Sequence, residues 1–281
     1  MSASEGSAAR ITAPDDAYAF GKNWKRYIAN HLDPERGRIA RESVAEFLDE
    51  DLAGKLFLDI GSGSGLFSLA AYELGAERVI SMDVDADSVA ATRELRERAG
   101  APENWEVREG SILDSQVVTE LEQADVVYSW GVLHHTGDMD LAIRNAASLV
   151  KPGGLFAIAI YNRVTGRFLD SERWWKIKRR YNHSPEVVRW AMRVWIRMLW
   201  LAQMLKNGKN PWTAAREYKE RGMAVTTDLF DWVGGFPYEY ATVDEIVAFC
   251  RAECEMEELK TVQLPPRDIG LNRFLFRRRT G

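Results

Sequence analysis

An apolar run that stops at an aspartate and then passes into three glycines at alternate positions leaves a chain few folds to choose from. Residues 56–67 read LFLDIGSGSGLF. The spacing predicts a buried strand over Leu56–Ile60 and a helix over Leu66–Leu74, closed by Gly75. A strand, a glycine turn and a helix form the first half of a βαβ unit. Open α/β sheets bind ligands at such turns, at the carboxyl ends of their strands. Glycine there permits positive φ and close approach of the backbone to a ligand. The dinucleotide fingerprint G-x-G-x-x-G is excluded, because Leu66 stands at the sixth position counted from Gly61. The phosphate-loop pattern fails as well, since no Gly-Lys-Ser/Thr follows. Asp59, just before the turn, suits a cationic amino group better than a phosphate.

The rest of the chain continues the alternation. Strands are predicted over Arg78–Met82, Trp105–Arg108, Ala124–Trp130 and Leu155–Ile160. Helices are predicted over Asp87–Ala99 (capped by Asp87 or Ser88), Gln116–Leu121 and Met139–Leu149, with KPGG as the turn into the strand at Leu155. Upstream, residues 1–16 read as a flexible tail, followed by helices in YAFGKNWKRYI and over Pro34–Asp49. Near the end, TVDEIVAFCRAE predicts a helix capped by Thr242. Two strands, Glu257–Val262 and Asn272–Arg277, follow it. Short apolar strands alternating with helices imply a mostly parallel sheet covered on both faces. The predicted organisation is an α/β core over residues 17–160, a helical insert over 161–240, and a completing segment over 241–281.

The second strand ends in VISMDVD, which places Asp83 24 residues after Asp59. An acid near that spacing commonly bonds ribose hydroxyls, and a carboxylate can accept from both hydroxyls of a diol. A ligand with a ribose and a charged amino-acid part, and without a diphosphate, fits both acids.

Read in order, the motifs LDIGSGSG, VISMDVD, VREGSILD, ADVVYSWGVLHH and LVKPGG resemble those of class I S-adenosylmethionine-dependent methyltransferases. The resemblance covers residues 20–160 and 242–278. It is strongest to the small-molecule type, similar to the methyltransferases of ubiquinone and menaquinone biosynthesis. It implies a Rossmann-like seven-stranded mixed sheet, mostly parallel with an antiparallel last strand, and S-adenosylmethionine as cofactor. It assigns the methionyl part to Asp59, Gly61, Ser62, Gly63 and Gly65, and the ribose to Asp83. Val84 would lie against the adenine, with Ser111 and Ile112 at its edge. Ser129 and Trp130 would lie near the methyl donor, and FGKNW, with Trp24, would form a lid. The family often has an acid where Ser111 stands; the Ser111 hydroxyl or Asp114 would then meet the adenine amino group.

His134 and His135 follow the fourth strand, where a base for an oxygen nucleophile would stand, and His135 is the favoured candidate. The competing reading is a histidine that satisfies backbone groups at a helix start. Residues 161–240 hold seven of the ten tryptophans and carry 15 Lys+Arg against 8 Asp+Glu. With a net charge of -5 for the whole chain, the insert is basic and the remainder acidic. EVVRWAMRVWIRMLWLAQMLK sets Arg189, Arg193 and Arg197 on one stripe of an otherwise apolar helix. Such a helix is buried in a lid or dimer contact, or lies on a membrane surface through residues 187–205. KIKRRYNH reads as a solvated basic face. Asp228, Asp231, Trp232 and Tyr238 sit on a turn-rich stretch and are candidate substrate contacts, or else a packed connection.

These features predict a cytoplasmic methyltransferase acting on a small-molecule or lipid-like acceptor, at oxygen. Two cysteines, Cys250 and Cys254, form no disulfide framework, and no secretory signal, spanning segment or metal-ligand spacing is evident. Nucleic acid is an unexpected partner at this net charge. The alternatives are an RNA methyltransferase using the basic insert and a non-catalytic cofactor-binding or assembly protein.

Overall fold

The computed structural model describes residues 21, 34–166, 170–206, 208, 233–265 and 268–280. The chain runs through α1 (Pro34–Leu48), β1 (Leu56–Ile60), α2 (Leu66–Glu73), β2 (Arg78–Asp83), α3 (Ala86–Arg98) and β3 (Trp105–Glu109). It continues with α4 (Ser115–Glu120), β4 (Ala124–Trp130), a 3-10 turn (Leu133–His135), α5 (Met139–Ser148) and β5 (Val150–Tyr161). The last elements are α6 (Ser171–Asn182), α7 (Glu186–Lys206), α8 (Val243–Glu253), β6 (Met256–Val262) and β7 (Leu271–Arg278).

The seven strands form one sheet in the order β3-β2-β1-β4-β5-β7-β6. The first five are parallel, and β7 runs antiparallel to both β5 and β6. This is the mixed α/β sheet that the alternation predicts. All five residues of β1 are buried, as a central strand covered on both faces requires. Side chains at alternate positions go to opposite faces. Leu58, Ile60, Ile80, Met82 and Ile158 pack with Ile143 and Ile246 on one side; Phe57, Val79, Val126 and Leu155 pack with Val44, Ala70 and Leu95 on the other. From β1 the chain moves outward through β2 and β3, then crosses back to β4. The reversal opens a switch point at the carboxyl ends of β1 and β4, where such sheets bind ligands.

Two expectations about local structure are corrected. The cap of α3 is Asp85, not Asp87 or Ser88: Asp85 is extended and its side chain accepts from Asp87 N–H, while Ser88 is buried. KPGG is not a turn ahead of β5 but an excursion within it. The pairing with β4 jumps from Ala124↔Val150 to Val126↔Leu155, and Lys151 Nζ reaches Asp125 at 2.8 Å. The helix expected in YAFGKNWKRYI lies outside the described residues, apart from Gly21. Thr242 does cap α8, in a reciprocal box with Glu245.

Beyond Tyr161, α6 and α7 pack over the carboxyl end of β5 through Tyr161, Trp174, Tyr181, Ile196, Val233 and Tyr238. Among the described residues no helix is long and apolar enough to cross a membrane.

Phe156 is fully buried in β5, so Phe156→Ala should lower unfolding free energy by about 3–5 kcal/mol. Thr242→Ala, which removes the capping box, should lower it by about 1 kcal/mol. Urea unfolding of the two variants measures both; equal losses would contradict this description of the core.

Candidate functional site

The glycine turn is held from three directions. Gly61 and Ser62 N–H both donate to Met82 O, at 2.7 and 3.1 Å, which binds the turn to β2. Ser62 Oγ meets Thr92 Oγ1 of α3 at 3.1 Å. Gly63 N–H donates to Asp83 Oδ2 at 2.9 Å. Gly61 has φ +77°, and a Cβ there would lie 2.4 Å from both Val132 methyl groups. Residue 61 must therefore be glycine for the loop after β4 to come this close.

The end of β2 supplies the second part. Asp83 accepts from Gly63 N–H and, through Oδ1, from Asp85 N–H at 2.9 Å. Burial pushes its carboxyl up to about 6, against the pull of those two backbone donors. Val84, next along, is exposed and presents a bare apolar face. Gly21 is the described residue of the FGKNW stretch. Its N–H donates to Asp85 Oδ2 at 2.9 Å, and its Cα is so close to α3 that a Cβ would meet Ser88 N at 2.6 Å. Gly21 is therefore anchored two residues from Asp83. Trp24 lies outside the described residues.

Asp59 is buried at the end of a directed chain of hydrogen bonds. An indole N–H can only donate: Trp105 Nε1 donates to Ser81 Oγ at 2.8 Å, Ser81 Oγ to Ser68 Oγ at 2.7 Å, and Ser68 Oγ to Asp59 Oδ2 at 2.6 Å. The chain crosses three adjacent strands and fixes the carboxylate. Burial raises its pKa to about 7; Ser68 opposes this and the charge on Asp83 adds to it.

At the third strand, Ser111 Oγ accepts from Leu113 N–H at 3.2 Å, and Ile112 is buried with its carbonyl taking Asn145 Nδ2 at 2.7 Å. Asp114 caps α4, accepting from Gln116 N–H, which commits one oxygen of that acid. Ser129 is buried, and its hydroxyl donates to Ile60 O at 2.9 Å, a tie between β4 and β1. The Trp130 ring stacks on Tyr128 at 5.2 Å and meets Phe47 edge-on at 5.1 Å, within the apolar layer under α1. The backbone at Ser129 and Trp130 lies at the switch point, but their side chains work inside the sheet.

The histidine turn is gripped by a segment a hundred residues away. Glu239 N–H donates to His134 O at 3.0 Å, and the Glu239 carboxylate accepts from Gly137 and Met139 N–H, both at 3.2 Å. His135 Nδ1 lies 2.5 Å from Pro237 O. A carbonyl can only accept, so Nδ1 carries the proton and Nε2 the lone pair. Burial, with the nearby Lys178 charge, lowers His135 to about 3 despite that hydrogen bond. His134 is fully buried, and neither ring nitrogen makes a hydrogen bond of normal geometry. Its pKa falls well below the usual value, first through burial. Its ring packs 4.3 Å from Tyr161 and 4.4 Å from His135.

Lys178 alters the reading of KIKRRYNH as a solvated face. Its neighbours Lys176, Arg179 and Arg180 are exposed, but Lys178 is fully buried, with Nζ 4.7 Å over the Tyr238 ring and 5.6 Å over Tyr161. Burial lowers its pKa to about 7. Tyr238, a candidate substrate contact, is packed in this cluster, and its hydroxyl, near Ser171, makes no hydrogen bond of normal geometry. Asp228, Asp231 and Trp232 lie outside the described residues. The roles of Asp85, Pro237, Glu239 and Lys178 escaped the sequence reading. Asp85 had a local signal, an acid two residues before a helix; the others had none.

A family described as methyltransferase domain matches residues 32–221. The chain is 36% identical over 119 residues to a ubiquinone biosynthesis O-methyltransferase of Methylobacterium sp. (strain 4-46), covering 42% of this chain and 46% of that one. It is 38% identical over 115 residues to a ribosomal protein L11 methyltransferase of Photobacterium profundum, covering 41% and 36%. The matches thus span less than half the length of these two relatives. The fold is similar to that of magnesium protoporphyrin IX methyltransferase from Synechocystis PCC 6803, solved with bound SAH: TM-score 0.55, 15% identity, 93% of this chain and 95% of that one. The glycine turn, its two strand-end acids and the family match together make this chain a member of the methyltransferase-domain family, of the class I S-adenosylmethionine-dependent kind.

Proposed function

We propose that the protein transfers a methyl group from S-adenosylmethionine to an oxygen of a small-molecule or lipid-like acceptor, with His135 as the base. The observation that carries this reading is the hydrogen bond between His135 Nδ1 and Pro237 O, which leaves a neutral imidazole with its lone pair on Nε2. The residues present fit the cofactor. The Gly61–Gly65 turn has no room for a side chain at 61, where the loop after β4 closes on it, and an acid stands at the carboxyl end of each adjacent strand. Asp59 and the turn would hold the methionyl part, Asp83 the ribose, Val84 and Ile112 the adenine, and the backbone at Ser129 and Trp130 would line the donor side.

When bound, the cofactor supplies an activated methyl group on a sulfonium. The acceptor oxygen would take that methyl group, with the electron pair of the broken bond staying on the donor, and His135 Nε2 would take the hydroxyl proton. Positioning supplies much of the rate in such a displacement. Residues 161–240 serve in this reading as the acceptor cap over the core formed by 17–160 and 241–281. We place the protein in the cytoplasm, where the free thiols of Cys250 and Cys254 persist without oxidation.

Burial holds Asp59 and Asp83 protonated to higher pH than an ordinary carboxylate, to about 7 and about 6. A cationic, diol-bearing ligand needs the ionised forms, so protons compete with it. Affinity for S-adenosylmethionine should therefore be weak at pH 5, rise through both values by at least about tenfold, and level off above pH 8. Calorimetry across that range tests the assignment. Asp83→Asn should lose most of the affinity while keeping the wild-type melting transition, and unchanged binding would remove Asp83 from the site.

His135→Gln should lower kcat by about 10²-fold or more and leave cofactor affinity intact; full activity would remove the base. The acceptor class is tested by incubating cell extract with isotopically labelled methyl donor. Label in organic-extractable small molecules, released as an O-methyl group, supports the proposal. Label confined to RNA or to protein overturns it.

A further inference from the structure

Helix α7 turns its arginines inward and its oily side outward. Arg189 Nε and Nη2 donate to Ser184 O and Asn182 O, at 2.8 and 2.7 Å, closing the end of α6. Arg193 Nη1 donates to Tyr181 Oη at 3.1 Å, and Ile196 and Met204 are buried on the same side. On the opposite side, Val187 is 78% exposed, Trp190 62%, Met198 62% and Leu205 63%. At 3.6 residues per turn these positions, with Val194, fall within a stripe about 80° wide that runs about 27 Å along the helix. Single exposed apolar residues are ordinary, but a continuous stripe with a large aromatic marks an interaction surface. Within the single chain the Arg189 and Arg193 side of this helix is covered and its apolar side is not.

The charge around the stripe selects the partner. Residues 171–206 carry nine Lys+Arg and two Asp+Glu, a net +7, while the whole chain carries -5. Arg173, Lys176, Arg179 and Arg180 are exposed on α6, the other helix of the same hairpin. An apolar helix face flanked by concentrated positive charge complements an anionic bilayer, with tryptophan at the headgroup level. The helix cannot span, so it would lie in the interfacial plane. We propose that the α6–α7 hairpin docks the protein on anionic lipid membranes through the Val187–Leu205 face of α7. The hairpin's inner side packs on Tyr161 and Tyr238, next to the histidine turn, so docking would hold the candidate site behind the hairpin and close to the bilayer. Docking of this kind does not depend on which acceptor is methylated.

Flotation of the full chain with phosphatidylcholine vesicles, with and without phosphatidylglycerol, tests this. The wild type should float with phosphatidylglycerol vesicles and bind pure phosphatidylcholine at least about tenfold more weakly, with binding reduced by high salt. The double variant Trp190→Glu, Met198→Glu, altered only on the exposed face, should lose at least about tenfold in binding. Its S-adenosylmethionine affinity and melting transition should stay at wild-type values. Wild-type protein that does not float, or a double variant that floats equally well, overturns the proposal. So does a concentration-dependent dimer that the double variant abolishes without any vesicle binding, which would assign the face to a second copy.

Discussion

The hydrogen bond from Gly63 N–H to the Asp83 carboxylate joins the two features on which this molecule's chemistry rests. It fixes the glycine turn after β1 to the acid that ends β2, and so sets the shape of the switch-point crevice. The contact is possible because β1 and β2 are parallel neighbours in register, Ile60 opposite Met82, so both strands deliver their last residues to one edge. Asp59 is held to the same edge by a different route, through Ser68, Ser81 and Trp105. Burial makes both carboxylates resist ionisation, and the charge on Asp83 adds to this at Asp59. A cationic ligand offsets that cost, so the pair of acids suits a sulfonium and an ammonium group better than a phosphate.

The parts legible in the sequence are those fixed by short-range chemistry. LFLDIGSGSGLF specifies strand, turn and helix within twelve residues, and the absence of glycine at Leu66 excludes a diphosphate by counting alone. Asp83 is legible because a βαβ unit has a near-constant length. Thr242 is legible because its partner Glu245 lies three residues on. The illegible parts depend on distant contacts. Nothing in SWGVLHH indicates that Pro237 and Glu239, about a hundred residues later, would clasp the turn. The reading of KPGG as a turn failed because a bulge lets β4 and β5 resume pairing on its far side. For α7 the pattern gave the arginine stripe correctly but could not say which side met the core. Guanidinium groups that cap helix α6 and bond Tyr181 can face inward, and apolar groups can face out.

The insert also governs the protonation of the histidine turn. Lys178 comes from α6, yet its charge is felt by both histidines, and it adds to burial in lowering them. A histidine held far below its usual pKa does not lose its lone pair to a proton from solvent at neutral pH. In the proposed mechanism it is a weak base throughout, and the proton moves to it only because the acceptor hydroxyl becomes strongly acidic as it bonds to the methyl carbon. Proton transfer in that mechanism is therefore coupled to methyl transfer and does not precede it. The Pro237 carbonyl keeps Nδ1 protonated, so the tautomer of His135 is fixed by the same segment that carries Tyr238 into the Lys178 cluster. Packing of the insert on β5 and the setting of the histidine turn are linked: displacing α6 would remove the Lys178 charge and open the cluster around His134 together. This ties the insert to the histidine turn more closely than the chain order suggests.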